Sequence, residues 1–459
     1  MTTEMMPVRL RDDPDFRRYW LARALSVTGS MVTAVALPVL VYRLSGSPFL
    51  TALTTALEAA PYLLTGLFAG ALSDRWNRRR VMVSADLVNA VLIGSIPIAH
   101  LLGVLTVAQV LVVGFAVQAV YTFFDGANFG ALPVLVGRAR VAQANSAVWT
   151  ASSLIELFVP ALAGLALAVM NPASLLVLDA LSFVASAIAV RGILRAMSEP
   201  RQGQLPLRPR VIFADIAEGV RFLVGHPGVR TMTIVGSLQS FAGGGFVALM
   251  VVWCDRILHI GTSGVRFGLV WGAWGIGGLI AAVGLPRLLK RMPPAAITLY
   301  ALPMSAVLGI VTALAPSWEL AAVALLVWGS AYVLVIVNSI SYRQQVTPEQ
   351  LLGRVNTAGR MLSWGVGWTL GSLAGGLLGN QYGVRTAMVV MGAFGFVAVV
   401  VAWTSPLRGI AADYTPGQDA GHDTAYDAVH DAAYEPGNDA AHDPGHDPVH
   451  DTARDPGRA

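Results

Sequence analysis

Glu58 and Glu156 each lie within a run of apolar residues long enough to cross a bilayer as a helix. Burying a charge there is expensive, so an ionisable group inside such a run is a functional hypothesis by default. Desolvation favours the neutral form of a carboxyl, and a carboxyl poised in this way can take up and release a proton or hold a cationic molecule. Glu156, one turn before Pro160, is the first proton-coupling candidate and Glu58 the second. Asp86, Asp125 and Asp179 occupy similar runs. The first two fall near the expected ends of their spans, which suits a local salt bridge better than coupling, and Asp179 is read as structural. Arg23, about one turn into the first span, is expected to snorkel to the interface. Trp149, Trp271, Trp274, Trp364 and Trp368 are candidates to stack on a drug or hold a cation, although most helix tryptophans face headgroups or neighbouring helices.

The elements that must position these groups follow from composition. The chain has 459 residues, 55% of them hydrophobic and only 13% charged. An ordinary soluble protein carries about 25% charged residues. Met31–Tyr42, Leu102–Phe124, Leu157–Val169 and Met388–Trp403 contain no Asp, Glu, Lys or Arg at all. A crossing helix needs about 20 mostly apolar residues, which excludes a soluble multidomain enzyme. The pattern predicts an all-α membrane protein of twelve spans, near 19–43, 52–72, 81–102, 105–124, 145–170, 173–195, 229–253, 265–285, 295–315, 318–337, 357–379 and 384–404. Breakers punctuate the gaps, among them Ser45-Gly46-Ser47-Pro48, Asn171-Pro172 and Met292-Pro293-Pro294. Residues 1–195 form one six-helix half and 229–404 the other. A basic linker over 196–228, amphipathic from Val211 to Val224, is expected on a membrane surface.

Lys and Arg stay on the cytoplasmic side. Placing the N-terminus inside leaves only Arg43, Arg256, Arg266 and Arg385 outside, so both termini are expected in the cytoplasm. The halves resemble each other at one offset: Asn145-Ser146-Ala147 matches Asn356-Thr357-Ala358, Ala163-Gly164 matches Ala374-Gly375, and Arg79-Arg80 matches Lys290-Arg291. Two such pseudo-symmetric halves are the plan of a secondary transporter with its substrate site between them.

Between the second and third spans runs Gly70-Ala71-Leu72-Ser73-Asp74-Arg75-Trp76-Asn77-Arg78-Arg79-Arg80. Gly70 allows close helix approach, Asp74 suits a basic partner or a helix N-terminus, and the arginines hold the loop inside. This loop resembles the G-x-L-x-D-R-x-G-R-R/K signature of the major facilitator superfamily, with Asn77 in place of the usual Gly. The resemblance implies the twelve-helix fold of that superfamily and a cytoplasmic latch built on Gly70, Asp74, Arg75, Arg78 and Arg79. Val159-Pro160-Ala161-Leu162-Ala163-Gly164 is similar to the fifth-helix antiporter motif, with Pro160 and Gly164 kept and Val159 replacing a Gly; generic helix packing accounts for the same residues.

Several segments resemble the macrolide-efflux and enterobactin-exporter branch: Phe16-Arg17-Arg18-Tyr19-Trp20-Leu21-Ala22-Arg23, Gly130-Ala131-Leu132-Pro133, Asp179-Ala180-Leu181-Ser182-Phe183, Glu218-Gly219-Val220-Arg221-Phe222-Leu223 and Gly353-Arg354-Val355-Asn356. That likeness implies proton-driven export of amphipathic antibiotics or siderophores from the cell membrane, with Trp149, Trp364 and Trp368 as cavity candidates. A dedicated siderophore or natural-product exporter is the alternative, and a transport-inactive sensor or assembly factor the alternative of another class.

No catalytic constellation or phosphate-cradling loop stands out. The single cysteine, Cys254, excludes a disulfide within the chain and a cysteine zinc site. The expected partners are a small-molecule substrate, protons and the lipid bilayer, with no nucleic acid, no metal and no cofactor, and the protein is expected to be a monomer. Residues 405–459 carry 3 basic and 11 acidic residues, with an acid at every fourth position from Asp419 to Asp455. Pro436, Pro444 and Pro448 forbid a lasting helix there, and the tail is expected to be disordered, cytoplasmic and solvating.

Overall fold

A computed structural model describes residues 10–65, 76–137, 140–198, 209–348 and 351–412, and among them there is no strand. In the first half the helices are α1 (Pro14–Ser45), α2 (Pro48–Leu64), α3 (Arg78–Leu101), α4 (Val107–Val136), α5 (Val141–Ala166) and α6 (Pro172–Arg191). A linker helix, α7 (Pro209–Gly225), precedes α8 (Pro227–Ala248), α9 (Met250–Arg256), α10 (Val265–Leu289), α11 (Pro294–Leu314) and α12 (Trp318–Val346). Then follow α13 (Leu352–Arg360), a π-helical stretch (Met361–Trp368), α14 (Thr369–Tyr382), α15 (Val384–Thr404) and a short α16 (Leu407–Ala412).

Among the described residues nine helices are long and apolar enough to cross a membrane, and α8 with α9 forms a tenth span bent by 42°. α2 and the helical run from Leu352 to Tyr382 are consistent with the remaining two of the twelve expected spans.

Local chemistry sets the ends. Asp13 caps α1, its Oδ1 accepting from the amides of Asp15 (3.1 Å) and Phe16 (3.3 Å), and Pro14 supplies the preset first turn. Gly46 ends the helix at φ 62°, and its N–H donates to the Tyr42 carbonyl at 2.7 Å. A side chain is strained in that left-handed conformation. Ser47-Pro48, Asn171-Pro172 and His226-Pro227 repeat the cap-then-proline start at α2, α6 and α8.

The fourth and tenth spans outrun their apolar stretches. α4, expected over 105–124, continues to Val136 because its polar end is packed: Tyr19 Oη donates to Asn128 Oδ1 at 2.5 Å, and Arg78 Nη1 donates to the Gly130 carbonyl at 3.0 Å. α12, expected over 318–337, continues to Val346, with Asn338 Nδ2 on the Pro294 carbonyl (2.5 Å) and Thr298 Oγ1 (2.8 Å). Hydropathy ends a span where polar residues begin, whereas satisfied polar contacts let the helix go on.

In the first half α6 packs on α1 and α3, and in the second α12 packs on α10 and α11. The halves meet through α2 against α14 and through α5 against α10. The linker helix lies on α13 rather than only on a membrane surface. A Cβ on Gly219 would stand 2.8 Å from Arg354 Cβ, and Glu218 pairs with Arg354. We call the end holding the start of α1 the terminal end, and the end holding the α1–α2 turn the hairpin end.

Candidate functional site between the two halves

At the hairpin end the halves are closed. The Gly264 amide donates to the Gly164 carbonyl at 2.9 Å. A Cβ on Gly164 would lie 2.8 Å from Gly268 Cα, and one on Gly268 would lie 2.6 Å from the Ala161 carbonyl oxygen. Pro160 and Gly164 therefore sit on a backbone-to-backbone seam between α5 and α10, the close approach that small residues permit. On the other side of the bundle a Cβ on Gly376 of α14 would meet Ala52 Cβ of α2 at 2.6 Å. Side chains add a latch. Tyr42 Oη donates to Asp255 Oδ2 (2.7 Å), and Arg256 donates to Tyr42 Oη (3.1 Å) and to the Gly46 carbonyl (2.6 Å). Arg43 Nε donates to Thr262 Oγ1 at 3.0 Å.

Toward the terminal end a cluster of charged and aromatic groups forms where four helices converge. Arg360 of α13 reaches across the halves to Asp125 of α4, Nη1 to Oδ2 at 3.5 Å, and lies 5.0 Å from the ring centroid of Tyr62 on α2. Arg23 of α1 lies 5.5 Å from the Phe124 ring centroid and bonds to the Tyr121 side chain, within electrostatic reach of Tyr19 and Asp125. Arg23 does not snorkel: its Nε and Nη1 are buried without a hydrogen-bond partner. Asp125 makes a bridge between halves rather than a local one. Asp86 makes no ion pair, and its buried Oδ2 has no hydrogen-bond partner. Asp179 fits the structural reading, accepting from Thr33 and, at 3.2 Å, from Ser182.

Both proton-coupling candidates belong to the first half, on helices that meet the second. Glu58 is half-buried on α2, and Glu156 is exposed on α5. The Glu156 carbonyl lies 3.5 Å from where a Cβ on Gly275 of α10 would stand. Among the described residues no hydrogen bond or ion pair reaches either carboxylate. Trp364 and Trp368 stack at 4.6 Å in the π-helical stretch, which packs on α2 and α8. Trp149 is 71% exposed on α5, and no described ring contact joins it to that pair. Trp274 belongs instead to an aromatic core of the second half, 4.9 Å from Trp328 and 5.1 Å from Tyr332.

Of the expected latch loop, Gly70, Asp74 and Arg75 lie outside the described residues. Arg78 and Arg79 are seen tying α3 to the ends of α4 and α6, Arg79 through the Arg195 carbonyl. Asn77 caps α3, its Oδ1 accepting from the Arg80 amide at 3.1 Å. The tyrosine-rich cluster was open to sequence reasoning through spacing: Tyr19 with Arg23, Glu58 with Tyr62, and Tyr121 with Asp125 are each four apart, hence on one helix face.

A two-halved helical bundle of this kind, with polar groups facing one another across the middle, defines a membrane transporter of the major facilitator class rather than an enzyme. The chain belongs to the transmembrane secretion effector family of that superfamily, whose model matches residues 3–430. It is 27% identical over 372 residues to the multidrug efflux pump Tap of Mycolicibacterium fortuitum, covering 79% of this chain and 88% of that one. It is 25% identical over 403 residues to the enterobactin exporter EntS of Citrobacter koseri, covering 85% and 91%. Among solved structures, a bacterial homologue of the iron transporter ferroportin in an inward-facing state matches with a TM-score of 0.66 at 17% identity, covering 85% of this chain and 98% of that one. The nucleoside transporter NupG matches at 0.67 and 11% identity, covering 87% and 100%. These structural likenesses speak to the fold.

Proposed function

We propose that the protein exports amphipathic small molecules, macrolide-like antibiotics among them, by alternating access coupled to inward proton flow. The observation that carries this reading is the unpartnered pair of carboxylates, Glu58 and Glu156, on helices that meet the opposite half. An unpaired carboxylate at such a boundary is hydrated when its side opens and desolvated when it closes, so its proton affinity changes with conformation. A proton taken from the hairpin side then displaces substrate, and the carboxylate releases the proton at the terminal side. In this reading the basic terminal end is cytoplasmic, residues 1–195 and 229–404 are the moving halves, 196–228 is a cytoplasmic strut, and Asp74 with Arg75 gates the inner side. The efflux pump Tap and the exporter EntS support export as the direction. EntS also favours a narrower reading, a dedicated siderophore or natural-product exporter.

Everted vesicles test the reading. Wild type should concentrate one or more antibiotics or dyes, a protonophore should abolish this, and Glu58→Gln or Glu156→Gln should uncouple it. Full concentrative uptake by both variants would sink the proton-coupling role.

A further inference from the structure

We infer that the exported molecules include ones that carry an acidic group, and that this group docks between Arg23 of α1 and Arg360 of α13. The inference rests on the export reading and names its substrate class. Arg343 of α12 adds a third guanidinium. It is 3% exposed, its Nε donates to Asn356 Oδ1 at 3.0 Å, and it lies within electrostatic reach of Arg360. Facing these three cations the cluster holds one ion-paired carboxylate, Asp125, and that pairing is long at 3.5 Å. Asp86 of α3 lies within electrostatic reach of Arg23 but forms no ion pair. Glu58, one turn from Tyr62 on α2, exerts no resolved effect on any of the arginines.

The cluster is therefore left with positive charge in excess, with Arg343 and the Arg23 Nε and Nη1 buried among the helices and the Arg360 side chain about half exposed beside them. Burying a cation without its hydrogen bonds costs several kcal/mol, and two nitrogens of Arg23 are buried without partners. The positive-inside bias does not explain Arg23, because that bias acts on loops and on helix ends that reach water, whereas its unpartnered nitrogens are buried. A carboxylate, sulfonate or phosphate monoester satisfies them directly with charge-assisted bonds. Tyr62, Tyr121 and Phe124 supply aromatic surface around it, which suits an aromatic acid.

The docking also has a mechanical consequence. Arg23 belongs to the first half and Arg360 to the second, so an anion held by both draws the halves together at the terminal end. Closure there then depends on substrate. Export of an anion from a negative-inside cell is further favoured by about 2.3 kcal/mol per charge per 100 mV.

The test uses full-length protein in energised everted vesicles, with fluorescein and 8-anilinonaphthalene-1-sulfonate as aromatic anions and ethidium and rhodamine 6G as aromatic cations. Wild type should concentrate the anions above vesicles lacking the protein. Arg23→Gln and Arg360→Gln should each lower anion uptake by about tenfold, while Arg360→Lys, which keeps the charge, should recover part of it. Transport of the cations alone overturns this inference and leaves the export reading intact. Equal loss of anion and cation transport in the Gln variants, with no recovery in Arg360→Lys, assigns the arginines to packing and also overturns it. Movement of neither class overturns both readings.

Discussion

The hairpin-end latch can be weakened in steps, and the steps can be sized. Tyr42→Phe removes the hydroxyl that donates to Asp255 and accepts from Arg256. Arg256→Ala removes the bonds to Tyr42 and to the Gly46 carbonyl. Charge-assisted hydrogen bonds contribute about 1.5–3 kcal/mol each when buried. These are partly exposed, so about 1 kcal/mol apiece is the fair figure. Tyr42→Phe leaves Asp255 and Arg256 free to rejoin through water and should cost about 1 kcal/mol; Arg256→Ala should cost about 2 kcal/mol. The corresponding gains in the population open at the hairpin end are about fivefold and about thirtyfold. Cys254 is the reporter: it is the only cysteine in the chain, fully buried, and adjacent to Asp255 in α9. Its rate of modification by a membrane-impermeant maleimide, in right-side-out vesicles, should rise in that order. The double variant should fall short of the product of the two, because both changes delete the same Arg256–Tyr42 bond. Equal, unchanged rates in all three variants, with transport intact, would falsify the latch.

Two further outcomes follow from glycine contacts. Gly164→Val should force α5 and α10 apart at a cost of about 1–3 kcal/mol, raising Cys254 labelling and lowering export, whereas Gly284→Val on α10, with nothing within 4 Å of its Cβ position, should do neither. Gly219→Ala meets the Arg354 backbone at 2.9 Å and should lower the melting temperature of the purified protein, while Gly130→Ala meets only the movable Arg78 guanidinium and should leave it unchanged or raise it.

The helical class and the two halves were legible because each rests on a local signal: an apolar run or a breaker. Arg23 was not, for a definite reason. The apolar run begins near Tyr19, which makes Arg23 look like an interfacial residue. The helix actually starts at Pro14, because Asp13 caps it and is held in turn by Arg195 through two bonds of 2.7 and 2.8 Å. Arg23 thus stands nine residues along α1, where its side chain turns inward to Phe124 and Tyr121 of α4. Arg360 was hidden differently. Its partner, Asp125, is 235 residues away in the other half, and no pattern within one helix reports a contact that only the packing of the two halves creates. The resemblance segments carried more than they showed singly: Glu218-Gly219 and Arg354 turn out to touch, as do Gly130 and Arg78.

The two ends of the interface are unequal in a way that bears on how the protein cycles. Among the described residues the hairpin end is held by four side-chain hydrogen bonds and a backbone bond across the seam. The terminal end is crossed by the long Arg360–Asp125 pair and the contact of Arg360 with Tyr62. In the described residues it is the hairpin end that is shut. To turn over, the protein must gain a comparable free energy at the terminal end, and a ligand can supply only its differential affinity for the two states. An acidic group gripped by Arg23 and Arg360 supplies that energy only when substrate is present, so the empty carrier does not open the hairpin side and leak. On this reasoning the excess of arginine in the terminal cluster and the strength of the hairpin latch are one property: each is sized by the other, and weakening the latch through Arg256→Ala should partly restore transport to Arg360→Gln while raising the proton leak without substrate.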